Sequence, residues 1–524
     1  MSVIQVQNLS FTYPGDYTPV FTDLTFSMGT DWRLGLVGRN GRGKTTLMRL
    51  LSGELTGSGQ IVSSVKFDMF PIVVEEDRSA LACMRSAVAP FDLWEEQMSA
   101  LLADGTDEAL VRWGEIEQEY AALDGYIIDE QICREAERMN IDHHELLRPM
   151  RSFSPGERTR LLLAALFIRK NRFLLIDEPT NHLDAAGREV VARYLRNKQG
   201  FIVVSHDRWF LDQTIDHVMA LQKSGVHIEQ GTYSSYRENK ELRDQFEIEE
   251  NERLEKDIWR LKETAREKAA WSDRVEATKI GQGLTDRGRI GHLAAKMMKR
   301  SLAIQTRIDR QIEEKEALLH DLEYASALTL HPMEHPAKVL MRFQNVSAGY
   351  DGKAVFRHKS FEIEQGDRLM IAGPNGAGKS TMIRLMLGQM EPMEGCLVCA
   401  SNLVISYMPQ RADELHGTVF ELAEREGLKK EYFMMILRKL GFPRSMFERD
   451  MSGFSMGQRK KVLLAASISK PAHMYIWDEP LNYIDLESRE QIENMLADSQ
   501  ATMIFVEHDH AFAANIAQKT VRLP

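Results

Sequence analysis

GRNGRGKT, residues Gly38 to Thr45, returns in the second half of the chain as GPNGAGKS, Gly373 to Ser380. Both octapeptides fit the pattern G-x-x-x-x-G-K-[ST]. Each follows an apolar run, LGLV or LMIA, and precedes a helical one, TLMRLLSG or TMIRLMLG. That is the strand–loop–helix setting of a phosphate loop. Its glycines let consecutive N–H groups point at phosphate oxygens, and the helix N-terminus adds partial positive charge. The candidate cradles are Gly38, Asn40, Gly41, Gly43 and Thr46, and Gly373, Asn375, Gly376, Gly378 and Thr381. Lys44 and Lys379 would reach the β- and γ-phosphates, while Thr45 and Ser380 would ligate Mg2+. Two loops in matching contexts make an internal repeat the organising feature of the chain.

Working outward, each copy next shows an apolar strand that ends in two carboxylates: FLLIDEPTNHLD, with Asp177 and Glu178, and MYIWDEPLNYID, with Asp478 and Glu479. An aspartate at a strand end can hold the metal shell, and the adjacent glutamate can polarise an attacking water as general base. His206 in FIVVSHD and His508 in MIFVEHD follow further apolar runs, placed to contact a γ-phosphate. Between loop and carboxylates come FSPGERTRLLLAAL and FSMGQRKKVLLAAS. Ser154 and Ser455 read as helix N-caps, and the same geometry offers a hydroxyl and free N–H groups to a phosphate.

These four motifs, in one order and twice over, resemble an ABC-type ATPase with two nucleotide-binding domains in one chain. The resemblance implies an α/β fold of two tandem P-loop domains. It implies that Tyr13 and Tyr350 stack on adenine, that Gln410 of YMPQ helps hold Mg2+ and water, and that Gly156, Gly457 and Gln458 belong to the signature segments. It also implies head-to-tail docking within the monomer, pairing Lys44 and Glu178 with Ser455, and Lys379 and Glu479 with Ser154. Two departures predict unequal sites. Ile72 stands where the second copy has Gln410, and an apolar side chain cannot ligate Mg2+. Pro155 and Glu157 stand where the family has Gly and Gln; proline loses an N–H donor, and the glutamate brings negative charge toward a phosphate.

Between the copies, residues 237–325 contain no proline, and their four glycines, Gly281, Gly283, Gly288 and Gly291, cluster near the middle. Leu254, Ile258, Leu261 and Ala265 before them, and Ile304, Ile308, Ile312, Leu319 and Leu322 after, keep helical spacing. The pattern predicts two long helices folded back through a tip at 276–292, with limbs of roughly 50–65 Å. Residues 264–300 carry a net charge of +5, whereas 237–263 and 301–325 each carry −3. A basic tip on a chain of net charge −11 suits RNA phosphates, with Arg274, Lys279, Arg287, Arg289, Lys296, Lys299 and Arg300 as candidate contacts. The division expected is therefore 1–236, 237–325 and 326–524. The first copy has 110 residues from Lys44 to Ser154, against 76 from Lys379 to Ser455. The surplus falls on an acidic, helical stretch at 90–124, either an accessory arm or an enlarged helical subdomain.

Composition limits the alternatives. With 43% hydrophobic and 27% charged residues the chain is an ordinary globular one. No apolar run approaches the ~18 residues of a membrane span, and MSVIQVQNLSF does not read as a signal peptide, so a cytoplasmic location is expected. Cys396 and Cys399 form a lone CxxC inside the apolar run CLVCA, which reads as a strand with buried thiols.

Two fused copies with a long helical linker resemble the ABC-F family of translation-associated ATPases, and the opening residues are similar to its antibiotic-resistance branch. That resemblance implies a 70S ribosome partner, bound through rRNA and tRNA near the exit site without any membrane partner. It implies that the linker tip acts near the peptidyl-transferase centre and displaces lincosamides, streptogramin A or pleuromutilins. The rival readings are a housekeeping translation factor of the same family and a DNA-repair or transporter-coupled ATPase.

Overall fold

The computed structural model describes residues 2–15, 18–181, 183–222, 225–277, 310, 327–374, 376–413, 415–507 and 509–524. His508, Asn375, Lys279, Arg287, Arg289, Lys296, Lys299 and Arg300 lie outside the described residues, as does nearly all of the expected second limb. The chain divides into two compact units, Met1–Ser234 together with Ala325–Pro524, and Ser235–Tyr324.

The larger unit holds both copies of the repeat. In the first, strands β1 (Val3–Phe11), β2 (Phe21–Gly29) and β4 (Ser58–Val62) form an antiparallel sheet in the order β2-β1-β4. A second sheet is built from β3 (Arg33–Val37), β5 (Lys66–Phe70), β6 (Arg172–Asp177), β7 (Phe201–Val204), β8 (His217–Gln222) and β9 (Gly225–Gln230), in the order β5-β6-β7-β3-β8-β9. All of its pairings are parallel except β8 with β9. Strands covered on both faces need apolar residues at every position rather than every second one, and FIVV of β7 is buried throughout.

The second copy repeats this plan. Strands β10 (Val339–Tyr350), β11 (Lys353–Glu364) and β13 (Glu394–Cys399) pair as β11-β10-β13. The parallel sheet runs β14-β15-β16-β12-β17, from β12 (Arg368–Ala372), β14 (Ile405–Met408), β15 (Met474–Asp478), β16 (Thr502–Val506) and β17 (Lys519–Arg522). Here MYIWD and TMIFV are buried at every position. The cysteine expectation is corrected: Cys396 and Cys399 are both exposed. Their strand lies at the edge of the small antiparallel sheet, with only β10 beside it, so an apolar run there does not mean core.

The surplus of the first copy is a helical hairpin, Phe91–Asp104 and Asp107–Ala122. Gly105 turns it at φ +66°, and the Thr106 hydroxyl caps the second helix at Ala109 N. Its base is fastened by Phe91, buried edge-on to Tyr120 at 5.6 Å. Arg85, on the neighbouring helix Ala80–Val88, pairs with Glu95 at 2.5 Å and Asp129 at 2.6 Å. Leu102, Leu110 and Val111 face solvent.

The first limb is one helix, Tyr233–Ala277, starting four residues before the expected boundary; from Ser235 on it belongs to the smaller unit. Ile258 is buried and Leu254 and Leu261 are half-buried, while Trp259 is exposed. The covered stripe is therefore the one that the 3.6-residue spacing picks out. Arg274 falls within this helix, its side chain outside the described part. Among the described residues no helix is long and apolar enough to cross a membrane.

Candidate active site

In each copy the central parallel strand leads straight into the phosphate loop, and the neighbouring strands end beside it. Ligands of open α/β sheets collect at these carboxyl ends. The helices Lys44–Ser52 and Lys379–Met386 start at Gly43 and Gly378, which sit at φ +93° and +94°. A Cβ at either would meet a valine methyl, Val20 or Val355, at 2.6 or 2.5 Å. Only glycine satisfies both the handedness and the space. Lys44 Nζ donates to Gly38 O at 2.7 Å, and Lys379 Nζ to Gly373 O at 2.8 Å. Burial lowers the pKa of each lysine. The ammonium groups thus rest on their own loop carbonyls, at the place where phosphate oxygens would compete for them.

Beside each loop a hydroxyl meets the strand-end aspartate. Thr45 Oγ1 donates to Asp177 Oδ2 at 2.9 Å, and Ser380 Oγ to Asp478 Oδ2 at 3.4 Å. Burial, then the neighbouring Glu479, pushes Asp478 up to about 6. Burial likewise raises Asp177 against the Thr45 hydrogen bond. The next residue in each copy is in the left-handed region, Glu178 at φ +48° and Glu479 at φ +50°. Such backbone costs on the order of 1–3 kcal/mol for a non-glycine residue and gathers at functional sites. The strand ends next door hold it in place, with Glu178 N donating to Val204 O at 2.9 Å and Glu479 N to Val506 O at 3.0 Å.

Tyr13 and Tyr350 flank the loop helices. Tyr13 Oη lies 2.9 Å from Thr46 Oγ1, and Tyr350 Oη 3.3 Å from Thr381 Oγ1. Ser154 and Ser455 both complete capping boxes: each hydroxyl accepts the N–H of Glu157 or Gln458 at 3.3 Å, and that residue's side chain accepts back. The two serines are caps at the helix ends that face the opposite copy.

The copies meet at two unlike places. At the first, Asn40 Nδ2 of the phosphate loop donates to Tyr483 O of the other copy at 3.0 Å. Signature Gly457 packs there so closely that a Cβ would lie 2.8 Å from Tyr483 O and 3.2 Å from Asn40 Nδ2. Glu178 is sealed inside this contact. Its side chain keeps 17% of its surface accessible, but neither carboxylate oxygen is reached by water or holds a hydrogen bond. Burial, then the charge of Asp177, pushes it up to about 8. His206 Nε2 stands 3.2 Å away; burial, then the positive Lys44 and Arg489, keeps it neutral well below its usual range.

At the second place a cavity of about 850 Å³ lies open. Ser154, Pro155, Gly156 and Glu157 line it on one side, with Tyr350, Gly376, Gly378, Lys379, Ser380, Thr381, Gln410 and Glu479 on the other. Glu479 Oε2 accepts from Asn482 Nδ2 at 2.7 Å. Ile72, the counterpart of Gln410, is half-buried in the first copy.

Several residues that shape these sites went unread in the sequence. Arg188 and Arg489 make buried ion pairs with Asp207 and Asp509, each at 2.8 Å, and each aspartate follows a candidate histidine in the sequence. Lys461 pairs with Asp485 at 2.5 Å, both nearly inaccessible. The ammonium of Lys460 donates to Pro409 O and Glu479 O at 3.2 Å each, tying the segment before Gln410 to the end of the strand that carries the carboxylate pair. The signal for the arginines was present, since Asp184-x-x-x-Arg188 and Asp485-x-x-x-Arg489 recur at one place in the repeat.

Comparison with known proteins agrees with this architecture. The ribosome protection protein VmlR of Bacillus subtilis (strain 168) is 28% identical over 519 residues, spanning 97% of this chain and 84% of that protein. ATP-binding protein Uup of Haemophilus influenzae is 29% identical over 503 residues, with 92% and 73% covered. Among solved structures, the archaeal ribosome recycling factor aABCE1, in complex with ribosomal stalk protein aP1, superposes with a TM-score of 0.59 at 19% identity, covering 98% of this chain and 87% of that one. At that identity the likeness is one of fold. The sequence model of the ABC transporter family matches residues 21–181 and 356–482. Each matched span encloses a phosphate loop, a signature serine and a carboxylate pair, and together they exceed half of the chain: it belongs to the ABC transporter family, as an ATPase with two tandem nucleotide-binding domains.

Proposed function

We propose that this ATPase is of the ABC-F type and acts on the bacterial ribosome. In this reading ATP closes the two copies on each other, and the basic stretch of the 237–325 segment, with Arg274, Lys279, Arg287, Arg289, Lys296, Lys299 and Arg300, engages RNA near the peptidyl-transferase centre and the tRNA exit site. Bound lincosamide, streptogramin A or pleuromutilin drugs are displaced in consequence. The observation that carries the reading is a long charged helical segment inserted between two docked ATPase copies, in a chain similar along 97% of its length to a ribosome protection protein. The basic charge of residues 264–300, between acidic flanks, supports an RNA target.

Within the sites, Lys44 and Lys379 leave their loop carbonyls to neutralise the β- and γ-phosphates, and Tyr13 and Tyr350 stand where an adenine would stack. The paired hydroxyl and carboxylate oxygens of Thr45 with Asp177, and of Ser380 with Asp478, are hard oxygen donors of the kind that Mg2+ takes. When bound, Mg2+ would neutralise charge on the β- and γ-oxygens. Glu479, in the open cavity beside Gln410, is placed to take a proton from water, with His508 following the neighbouring strand. The Glu178 carboxylate is out of contact with water, burial and then Asp177 push its pKa up, and its copy has Ile72 where the other has Gln410. We therefore assign turnover to the second site. A ligand shifts the closing equilibrium only by its differential affinity for the closed state, so ATP binding at the interface drives engagement, and hydrolysis releases it.

The test is co-sedimentation of the Glu178→Gln, Glu479→Gln double variant with 70S ribosomes in ATP. Retention on ribosomes is expected; a trapped form that stays in the supernatant refutes the reading. A housekeeping role on stalled ribosomes uses the same sites, and drug susceptibility of a deletion strain separates the two.

A further inference from the structure

We infer that the helix Leu486–Asp498 is a one-sided latch, in which Glu487, Glu490 and Glu493 hold the first nucleotide site shut and tie it to the root of the interdomain helix. Residues three apart share a helix face, and each of these glutamates meets a different part of the first copy. Glu487 Oε2 accepts from Arg39 Nε of the phosphate loop at 2.5 Å. Glu490 Oε1 accepts from the hydroxyl of Tyr233, the first residue of the long helix, at 3.3 Å. Glu493 pairs with Arg208, two residues beyond His206, and both side chains are less than a tenth exposed.

The repeat supplies the comparison. Counting from the capping aspartates Asp184 and Asp485, the counterparts of Glu487 and Glu493 are Ala186 and Ala192, and those of Arg39 and Arg208 are Pro374 and His510. Neither ion pair can form at the second site. The two pairs are unequal in weight. Arg39–Glu487 is 23% and 28% exposed, and a pair that wet contributes little. Arg208–Glu493 is desolvated, and neutralising one side of such a pair acts mainly on dissociation. Opening the first site must break both, while opening the second breaks neither. The first site therefore holds its nucleotide through many turnovers of the second, and its closure fixes the residue from which the long helix departs.

This inference rests on the two-site ATPase architecture and not on the ribosome reading. It is tested with the full-length chain and a fluorescent, non-hydrolysable ATP analogue chased with unlabelled ATP. Wild type should release the analogue in two phases, and Lys44→Ala should remove the slow one. Glu487→Gln with Glu493→Gln should speed the slow phase by at least about tenfold and leave the fast phase within about twofold. Glu487→Gln alone, at the wetter pair, should speed it only about two- to threefold. The exchange Arg208→Glu with Glu493→Arg should restore slow release that Glu493→Arg alone loses. A single phase in wild type, an unchanged slow phase in the double variant, or equal acceleration of both phases overturns the latch. Failure to bind the analogue at all would instead refute the assignment of the nucleotide sites.

Discussion

Glu178 and His206 stand 3.2 Å apart in the first site, off hydrogen-bonding angle, with both carboxylate oxygens shut away from water. The counterpart of Glu178 in sequence, Glu479, lines an open cavity. The difference between a sealed and an open copy of one motif generates most of what can be measured here.

Proton linkage follows from the sealed carboxyl. Its pKa is pushed from an ordinary 4.5 to about 8 by burial and by Asp177. A folded state that holds this extra proton is fully stable below about pH 4.5 and loses stability as pH rises toward 8. Glu178→Gln cannot ionise and escapes the loss. Thermal melts of the two proteins should nearly coincide at pH 5 and separate in the variant's favour up to pH 8, by at most about 1.4 kcal/mol per pH unit. A constant difference across that range would show that Glu178 is ionised in the closed site.

Turnover should be unequal. Removing a general base lowers rate by about 10²- to 10⁴-fold. Glu479→Gln is expected to show that loss in steady-state phosphate release, and Glu178→Gln a loss below about tenfold. Equal losses would place chemistry in both sites.

The Lys461–Asp485 pair, 6% and 1% exposed, offers a stability test of the buried charges around the first site. Against the burial that would raise it, the Lys461 ammonium holds Asp485 well below the usual carboxylate range. Lys461→Met leaves that charge buried alone, at a cost of about 3–5 kcal/mol. Adding Asp485→Asn keeps a side chain able to cap Ser488 and should recover most of the loss in chemical denaturation. No recovery would mean that lost packing, rather than the orphaned charge, destabilises the single variant.

Replacing Gly281–Gly291 with a short turn should abolish drug protection and leave basal ATPase activity within about twofold, because every nucleotide-site group in either copy lies outside 237–325. Minimum inhibitory concentrations and phosphate release together check it. Retained protection would relieve the tip of its proposed role.

The residues gathered at the candidate sites were legible in the sequence because the repeat states most of them twice. A phosphate loop, a capped signature helix and a carboxylate pair at fixed order leave little freedom in what the fold can be. The first limb was legible too, since Leu254, Ile258 and Leu261 mark the covered stripe of the helix. What escaped the reading depends on contacts between positions far apart in the chain. Glu487 and Glu493 look like solvated helix charges until Arg39 and Arg208 are seen opposite them. Cys396 failed for the reverse reason: its run is apolar, but its strand has one neighbour, and Cys396 and Val398 are exposed. Ile72 announced unequal sites, though not that one would be dry.

The twin ion pairs Arg188–Asp207 and Arg489–Asp509 are common to both halves, whereas the likewise buried pair Arg208–Glu493 has no counterpart in the second. A single change to any of the three strands a buried charge, at a cost of about 3–5 kcal/mol. Their reach differs: the arginine–aspartate couples offer one handle in each copy, and Arg208–Glu493 offers a handle on one copy alone. A perturbation can therefore be addressed to both sites or to one by choosing which pair to break.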